Sequence, residues 1–200
     1  PANSHRELAE LIGKNIALPS VIVLNPGRTL GAIEFQQIYN QFNSQYKLII
    51  AETQTIIYTC RKIDEDCVNI IAFKDSVKIS SITSQSNFTA QNILDYLPLC
   101  IKKHFVVADS MIETSFGNVG MILHCAPLLL NAGWTESSIH DFNYYYDAIT
   151  PTIGKFIENI DAERVNVSEA LGHKVESTKE WLIRTYHVMG SNLYECIQNN

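Results

Sequence analysis

Two short, unbroken apolar runs constrain this 200-residue chain more than any other feature. Val21-Ile22-Val23-Leu24 stops at Asn25-Pro26-Gly27, and Leu48-Ile49-Ile50-Ala51 stops at Glu52. Neither run alternates with polar residues, so each reads as a strand buried on both faces, the habit of a parallel sheet. Between them, Gly31 to Phe42 offers Ile33, Ile38, Tyr39 and Phe42 for one helical face. Strand, turn, helix and strand in succession predict an α/β layer. An earlier helix is predicted over Ser4 to Gly13, opened by Ser4-x-x-Glu7 at capping-box spacing.

After Glu52 the rhythm changes. Ile56 to Arg61, Val68 to Phe73 and Val77 to Ile79 read as short strands of a small antiparallel addition, with Asp64-Glu65-Asp66 as a polar turn. A helix over Ala90 to Leu97 and a strand over Phe105 to Ala108 follow. Beyond about residue 112 strand signals fade. Asn118 to Asn131 is apolar and helical, stopping at Gly133. Thr150-Pro151 opens the clearest helix, with Thr as N-cap and Pro in the first turn. Ile153, Phe156, Ile157, Ile160, Val167 and Leu171 give it a face, Asp161, Glu163 and Arg164 read as its solvated side, and Gly172 ends it. Ser177-x-x-Glu180 is a second capping box. The expected organisation is an α/β part over 1–112 and an all-α part over 113–200.

Composition removes several classes of function. A chain that is 46% hydrophobic and 18% charged can bury a core. Its net charge of −6, without a Lys/Arg-rich run, disfavours nucleic acid. Its five cysteines are odd in number and contain no C-x-x-C pair, which suits reduced thiols in the cytoplasm. No stretch reaches the roughly 18 apolar residues of a membrane span. The histidines at 5, 104, 124, 140, 173 and 187 show no H-E-x-x-H spacing, so no metal site is expected. No G-x-S-x-G turn supports a hydrolase, and no G-x-G-x-x-G turn marks a complete dinucleotide-binding domain.

Several motifs then occur in a telling order. They are Leu24-Asn25-Pro26-Gly27-Arg28-Thr29; Ala51-Glu52-Thr53-Gln54-Thr55 with Tyr58-x-Cys60-Arg61; Asn118 through Ile122-Leu123-His124 to Pro127; and Leu130-Asn131-Ala132-Gly133. Tyr144-Tyr145-Tyr146, Thr150-Pro151, Asp161-Ala162-Glu163-Arg164 and Ala170-Leu171-Gly172 follow, and Pro1-Ala2-Asn3-Ser4-His5 stands ahead of them all. Together they resemble the octopine/nopaline (opine) dehydrogenase family, across essentially the whole chain. His124-Cys125-Ala126 departs from the Pro-rich continuation usual there. The resemblance implies the C-terminal part of a Rossmann-like NAD(P)-binding domain followed by the start of a helical substrate domain. It implies an oxidoreductase that uses NAD or NADP to join an amino acid reductively to a 2-keto acid. It also implies that the Gly-rich turn lies upstream and a catalytic Asp downstream. A middle portion without them is expected to be inactive alone. Which amino acid, which cofactor form and whether a homodimer forms are left open.

Each candidate residue has a functional and a plainer reading. His124 can donate a proton near neutral pH, as imine or ketone reduction requires, or it is a satisfied core histidine. The family motif around it favours the first. Asn118, six residues earlier, could share its helix face and orient the substrate or the nicotinamide, or simply cap the helix. Glu52, at a strand's end, suits an amino-bearing substrate, with Thr53 and Cys60 adding contacts, or it is a solvated turn. Asn25, Pro26 and Gly27 could bring backbone close to a nicotinamide ribose, or form an ordinary tight turn. Arg28 could pair with a carboxylate. The tyrosine run could wall a cleft, though packing is the simpler account. Two rivals remain: reduction of a 2-keto acid without an amine, and a non-catalytic assembly subunit.

Overall fold

The computed structural model describes residues 2–43, 45–82, 89–137, 139 and 141–200; Pro1 and His140, named above, lie outside them. The chain divides into two compact units, Pro1–Ser115 and Phe116–Asn200. The sequence pattern placed that change at 112; it falls inside a helix, α5 below.

In the first unit a short 3-10 turn leads into α1 (His5–Asn15). Then come β1 (Ser20–Leu24), α2 (Gly31–Phe42), β2 (Leu48–Thr53), β3 (Tyr58–Asp64), β4 (Cys67–Phe73) and β5 (Val77–Ser81). The unit closes with α3 (Ala90–Asp95), α4 (Leu99–Lys102), β6 (Phe105–Val107) and α5 (Met111–Phe116). The main sheet has the order β1-β2-β5-β6. β1 runs parallel to β2, from Ser20 opposite Leu48 to Leu24 opposite Glu52. β5 runs antiparallel to β2 and parallel to β6. The sheet is therefore mixed, and Val77–Ser81 belongs to its centre rather than to the antiparallel addition expected from sequence. That addition is β3 and β4 alone, paired from Tyr58–Phe73 to Asp64–Cys67.

β2 meets the expectation of burial on both faces. Leu48 and Ile50 enter a cluster with Ala9, Ala32, Phe35, Ile38 and Tyr39 of the two first helices. Ala51 joins Ile79, Ala90, Ile93 and Leu94, and Ile49 packs against this second cluster. Period-two alternation thus delivers one run to two helical layers. β1 does not behave so: it is a sheet edge among the described residues, and Val21 is exposed. The Ser4 capping box also does not form, because Ser4 sits in the 3-10 turn with helical angles and makes no side-chain cap bond.

The second unit is helical: α6 (Gly120–Leu130), α7 (Ala132–Thr135), α8 (Pro151–Ala170), α9 (Thr178–Tyr186) and α10 (Leu193–Gln198). Gly133 is not a stop, since it lies within α7. Thr150 accepts the Ile153 amide and Pro151 occupies the first turn, as predicted. Ser177 and Glu180 close their capping box reciprocally. The core gathers Val119, Ile122, Leu123, Ile149, Ile157, Trp181, Leu182 and Leu193.

One expectation fails inside α8. Asp161 and Arg164 are both only 4% exposed, whereas Phe156, Val167 and Leu171 face solvent. The buried stripe runs Gly154, Ile157, Asp161, Arg164 and Ser168. Arg164 Nε donates to Asp161 Oδ1 at 2.9 Å, Nη2 donates to Glu176 O at 2.6 Å, and Nη1 donates to Phe116 O. Asp161 Oδ2 accepts the Thr178 amide at 2.6 Å and Oδ1 accepts the Thr178 hydroxyl at 2.7 Å. A buried ion pair persists when its remaining donors and acceptors are satisfied, and here they are.

Candidate active site

In the first unit, the turn after β1 is tied to the end of β2. The Asn25–Pro26 peptide is cis. Gly27 N donates to Thr53 O at 3.1 Å. The Thr53 hydroxyl lies 2.9 Å from Asn25 Oδ1 and 3.0 Å from Thr55 O, and its one proton serves one of them at a time. A Cβ on Gly27 would stand 2.3 Å from Glu52 Cβ, so no other residue fits while Glu52 keeps its place. The glycine is therefore required by the protein's own packing, a reason the sequence did not reveal.

Glu52 has no exposed surface. Its Oε1 accepts from Thr114 Oγ1 at 2.7 Å and Ser115 Oγ at 3.0 Å, and its Oε2 accepts from Ala32 N at 3.0 Å. It thus caps the first turn of α2 and binds α5 to the sheet. Burial pushes its carboxyl above the ordinary range, against hydrogen bonds from Thr114, Ala32 and Ser115 that pull it down. The solvated-turn reading is excluded, and substrate contact would have to compete with three protein donors. Thr53 is likewise fully buried, and Cys60 is a half-buried free thiol on β3 opposite Ile70.

Lys74, which the sequence did not single out, is also buried and donates to Thr55 Oγ1 at 3.1 Å. Burial, and then the nearby Arg28 charge, push its pKa down to about 8. It follows β4 directly, so in the sequence it looks like an ordinary polar strand end.

In the second unit, His124 lies on α6 between buried Leu123 and Ala126 yet is itself exposed. This excludes the core-histidine reading. Its Nδ1 is 2.7 Å from Gly120 O, one helical turn back. A carbonyl can only accept, so Nδ1 carries a proton and neutral His124 presents Nε2 as an acceptor. Nε2 is 3.0 Å from the Tyr145 hydroxyl. The Tyr144 ring stacks on the imidazole at 6.2 Å between centroids, and its hydroxyl donates to His124 O at 2.7 Å. Burial, with Tyr145 and Cys125 beside it, raises the Tyr144 phenol to about 12. Tyr144 is thus a fixed neutral wall.

Asn118 is buried but lies two residues ahead of α6, with its carbonyl accepting from Met121 N. The shared-face argument from helical spacing therefore does not apply to it. An open cavity of about 630 Å³ lies in the same unit, lined by Trp134, Phe142, Tyr146, Asp141 and Asp147 among others. Aromatic faces beside carboxylates suit an organic cation.

Residues at the C-terminal ends of parallel strands are where open α/β sheets receive ligands. Asn25 and Pro26 stand there, directly after β1. Gly27 and the start of α2 do not add a phosphate cradle, because Glu52 fills both. No cluster of His, Cys, Asp or Glu suited to a metal ion occurs among the described residues. No helix among them is long and apolar enough to cross a membrane.

Known proteins share features of this chain's sequence and fold. Residues 107–200 match the family described as NAD/NADP octopine/nopaline dehydrogenase, alpha-helical domain. The whole chain is 32% identical to an opine dehydrogenase of Arthrobacter sp. (strain 1C), of which it spans 54%. Among solved structures it is similar to an octopine dehydrogenase carrying NADH and L-arginine, with a TM-score of 0.74 and 16% identity, over 100% of this chain and 52% of that one. It is also similar to an apo yersinopine dehydrogenase, with a TM-score of 0.71 and 14% identity, over 96% and 47%. The chain thus spans about half the length of the relatives it matches.

Proposed function

The chain is a relative of the octopine/nopaline dehydrogenases, and we propose that it forms the proton-handling portion of an opine dehydrogenase. The reaction is reductive condensation of an amino acid with a 2-keto acid. The observation that carries this reading is His124: an exposed imidazole on an otherwise apolar helix, its tautomer set by Gly120 O. Imine reduction needs a group near neutral pH that can hand a proton to the nitrogen as it becomes an amine. NAD or NADP, when bound, supplies the hydride, and Asn25 and Pro26 would stand at its edge. Thr53 and Cys60 keep the substrate-side roles that the resemblance implies, and Asn118 remains a catalytic candidate that would orient the substrate or the nicotinamide, while the bonding of Glu52 supports a positioning role over direct contact. The keto acid and amino acid meet as an imine, whose C=N bond is polarised from the His124 side.

The test uses the intact protein, NADH or NADPH, a 2-keto acid and pooled amino acids. Cofactor oxidation should require the amine, and His124→Gln should lower turnover by about 100-fold or more while leaving cofactor affinity unchanged. Full oxidation without an amine would instead make the protein a simple keto-acid reductase. Unchanged turnover in His124→Gln would remove His124 from the chemistry.

A further inference from the structure

The proton chemistry above uses neither Arg28 nor Lys74, yet the fold brings both to one edge of the main sheet in the first unit. Arg28 follows the Asn25-Pro26-Gly27 turn at the end of β1, and Lys74 stands between β4 and β5. The end of β2 joins them. Gly27 N donates to Thr53 O at 3.1 Å, Thr53 Oγ1 lies 3.0 Å from Thr55 O, and Thr55 Oγ1 accepts from Lys74 Nζ at 3.1 Å. Gln54 N donates to Lys78 O, so the start of β5 lies against the same strand end. This is the C-terminal edge of parallel β1 and β2, where open α/β sheets receive ligands.

Two features of the pair work against the folded chain. Lys74 is 9% exposed, and burial, then the Arg28 charge, oppose its ammonium. Arg28 has a φ of 64°, in the left-handed region that a residue with a side chain seldom adopts. Like charges held together at a ligand edge, one of them buried, mark a place for an anion. The neighbouring amides indicate which anion. Gly27 N serves Thr53 O, Leu30 N serves Ser115 Oγ at 2.9 Å, and Ala32 N serves Glu52, so these amides cradle protein oxygens and not a phosphate. A planar guanidinium beside an ammonium suits a carboxylate. Two cations attract a 2-keto acid, which is a net anion, and gain less from an amino acid, whose own ammonium they repel.

Resting on the function proposed above, which supplies the ligand, we propose that Arg28 and Lys74 bind the carboxylate of the 2-keto acid. Thr55 holds the Lys74 ammonium in place. The charge that costs stability at Lys74 is the one the carboxylate neutralises. Weaker binding and undiminished stability should therefore appear together in Lys74→Met.

The test uses the intact protein with NADH present and no amine. The probe is oxamate, a pyruvate-shaped carboxylate that accepts no hydride. Its affinity is read by titration calorimetry in wild type, Lys74→Met and Arg28→Gln. Each variant should bind oxamate at least about 10-fold more weakly, the worth of one hydrogen bond to a charged group. In turnover assays each should raise KM for the keto acid by a similar factor and leave KM for the amino acid unchanged. Lys74→Met should resist urea at least as well as wild type, which separates lost binding from a damaged fold. Arg28 is exposed, so Arg28→Gln changes the site without reaching the core. If either variant keeps wild-type affinity for oxamate, the inference is overturned. A rise in the amino-acid KM as large as that in the keto-acid KM overturns it too. Wild type that forms no secondary amine, while both variants lose oxamate, would sink the proposed function and leave the carboxylate site standing.

Discussion

Two buried titratable residues of the first unit show how burial, and not residue type, sets what a side chain does. Glu52 is saturated by three donors and serves the fold. Lys74 donates to Thr55 and sits in a position that resists charge. Its folded pKa of about 8 lies below its ordinary 10.5, so the native state holds this proton more weakly than the unfolded state does. The cost of carrying the charge inside is full below pH 8, shrinks as pH rises from 8 to 10.5, and is absent above. Lys74→Met should therefore stabilise the protein at pH 7 by up to about 3 kcal/mol, less about 1 kcal/mol for the lost Thr55 bond. Urea unfolding of both proteins at pH 7 and pH 10 checks it: the advantage should be smaller at pH 10. An advantage of equal size at both would mean that buried charge is not its source. None of this was legible in the sequence. Glu52 and Lys74 are charged residues beside strand ends, and only the fold reveals that Thr114, Ser115 and Thr55 come to meet them.

Among the elements, α8 shows where periodicity succeeds and where it misleads. Its ends were readable, because Thr150, Pro151 and Gly172 act locally: Thr150 caps, Pro151 lacks an amide where none is needed, and Gly172 adopts a φ of 85°. Its buried face was not. Counting apolar residues gives weight to Val167 and Leu171, but the packing stripe includes Asp161 and Arg164. A hydrophobicity pattern cannot anticipate a charged pair whose partners, Thr178 and Glu176, come from another element. Asp161→Ala should destabilise by about 3–5 kcal/mol, since it leaves Arg164 buried and unpaired and takes away the acceptor of the Thr178 amide and hydroxyl. The double change Asp161→Leu with Arg164→Met should cost less than Asp161→Ala alone, as measured by denaturant unfolding. If the two variants lose equal stability, the pair is not a coupled unit. The same distinction explains β5. Its apolar run was visible, but its place in the central sheet depends on long-range pairing with Thr53 and Phe105.

For the whole molecule, the order of motifs carried more than any one of them. Leu24 to Thr29, Asn118 to Pro127 and Thr150 to Gly172 are each short. Together they resemble the octopine/nopaline dehydrogenase family, and the mixed sheet followed by helices is similar to the fold of a solved octopine dehydrogenase. His124 could be singled out because its motif is local. Its contact with Tyr145 could not, because that residue lies 21 residues away and reaches Nε2 only through the fold. Asn118 was misplaced for a related reason: six residues equal nearly two turns only if the helix includes both ends, and α6 begins at Gly120. An opine enzyme and a keto-acid reductase differ in the bond they make, so the product tells them apart. The intact protein should be incubated with NADH or NADPH, a 2-keto acid and pooled amino acids, and the products read by mass. A secondary amine, with the mass of amino acid plus keto acid less water plus two hydrogens, is the expected result. A hydroxy acid, formed equally without any amino acid, would contradict it.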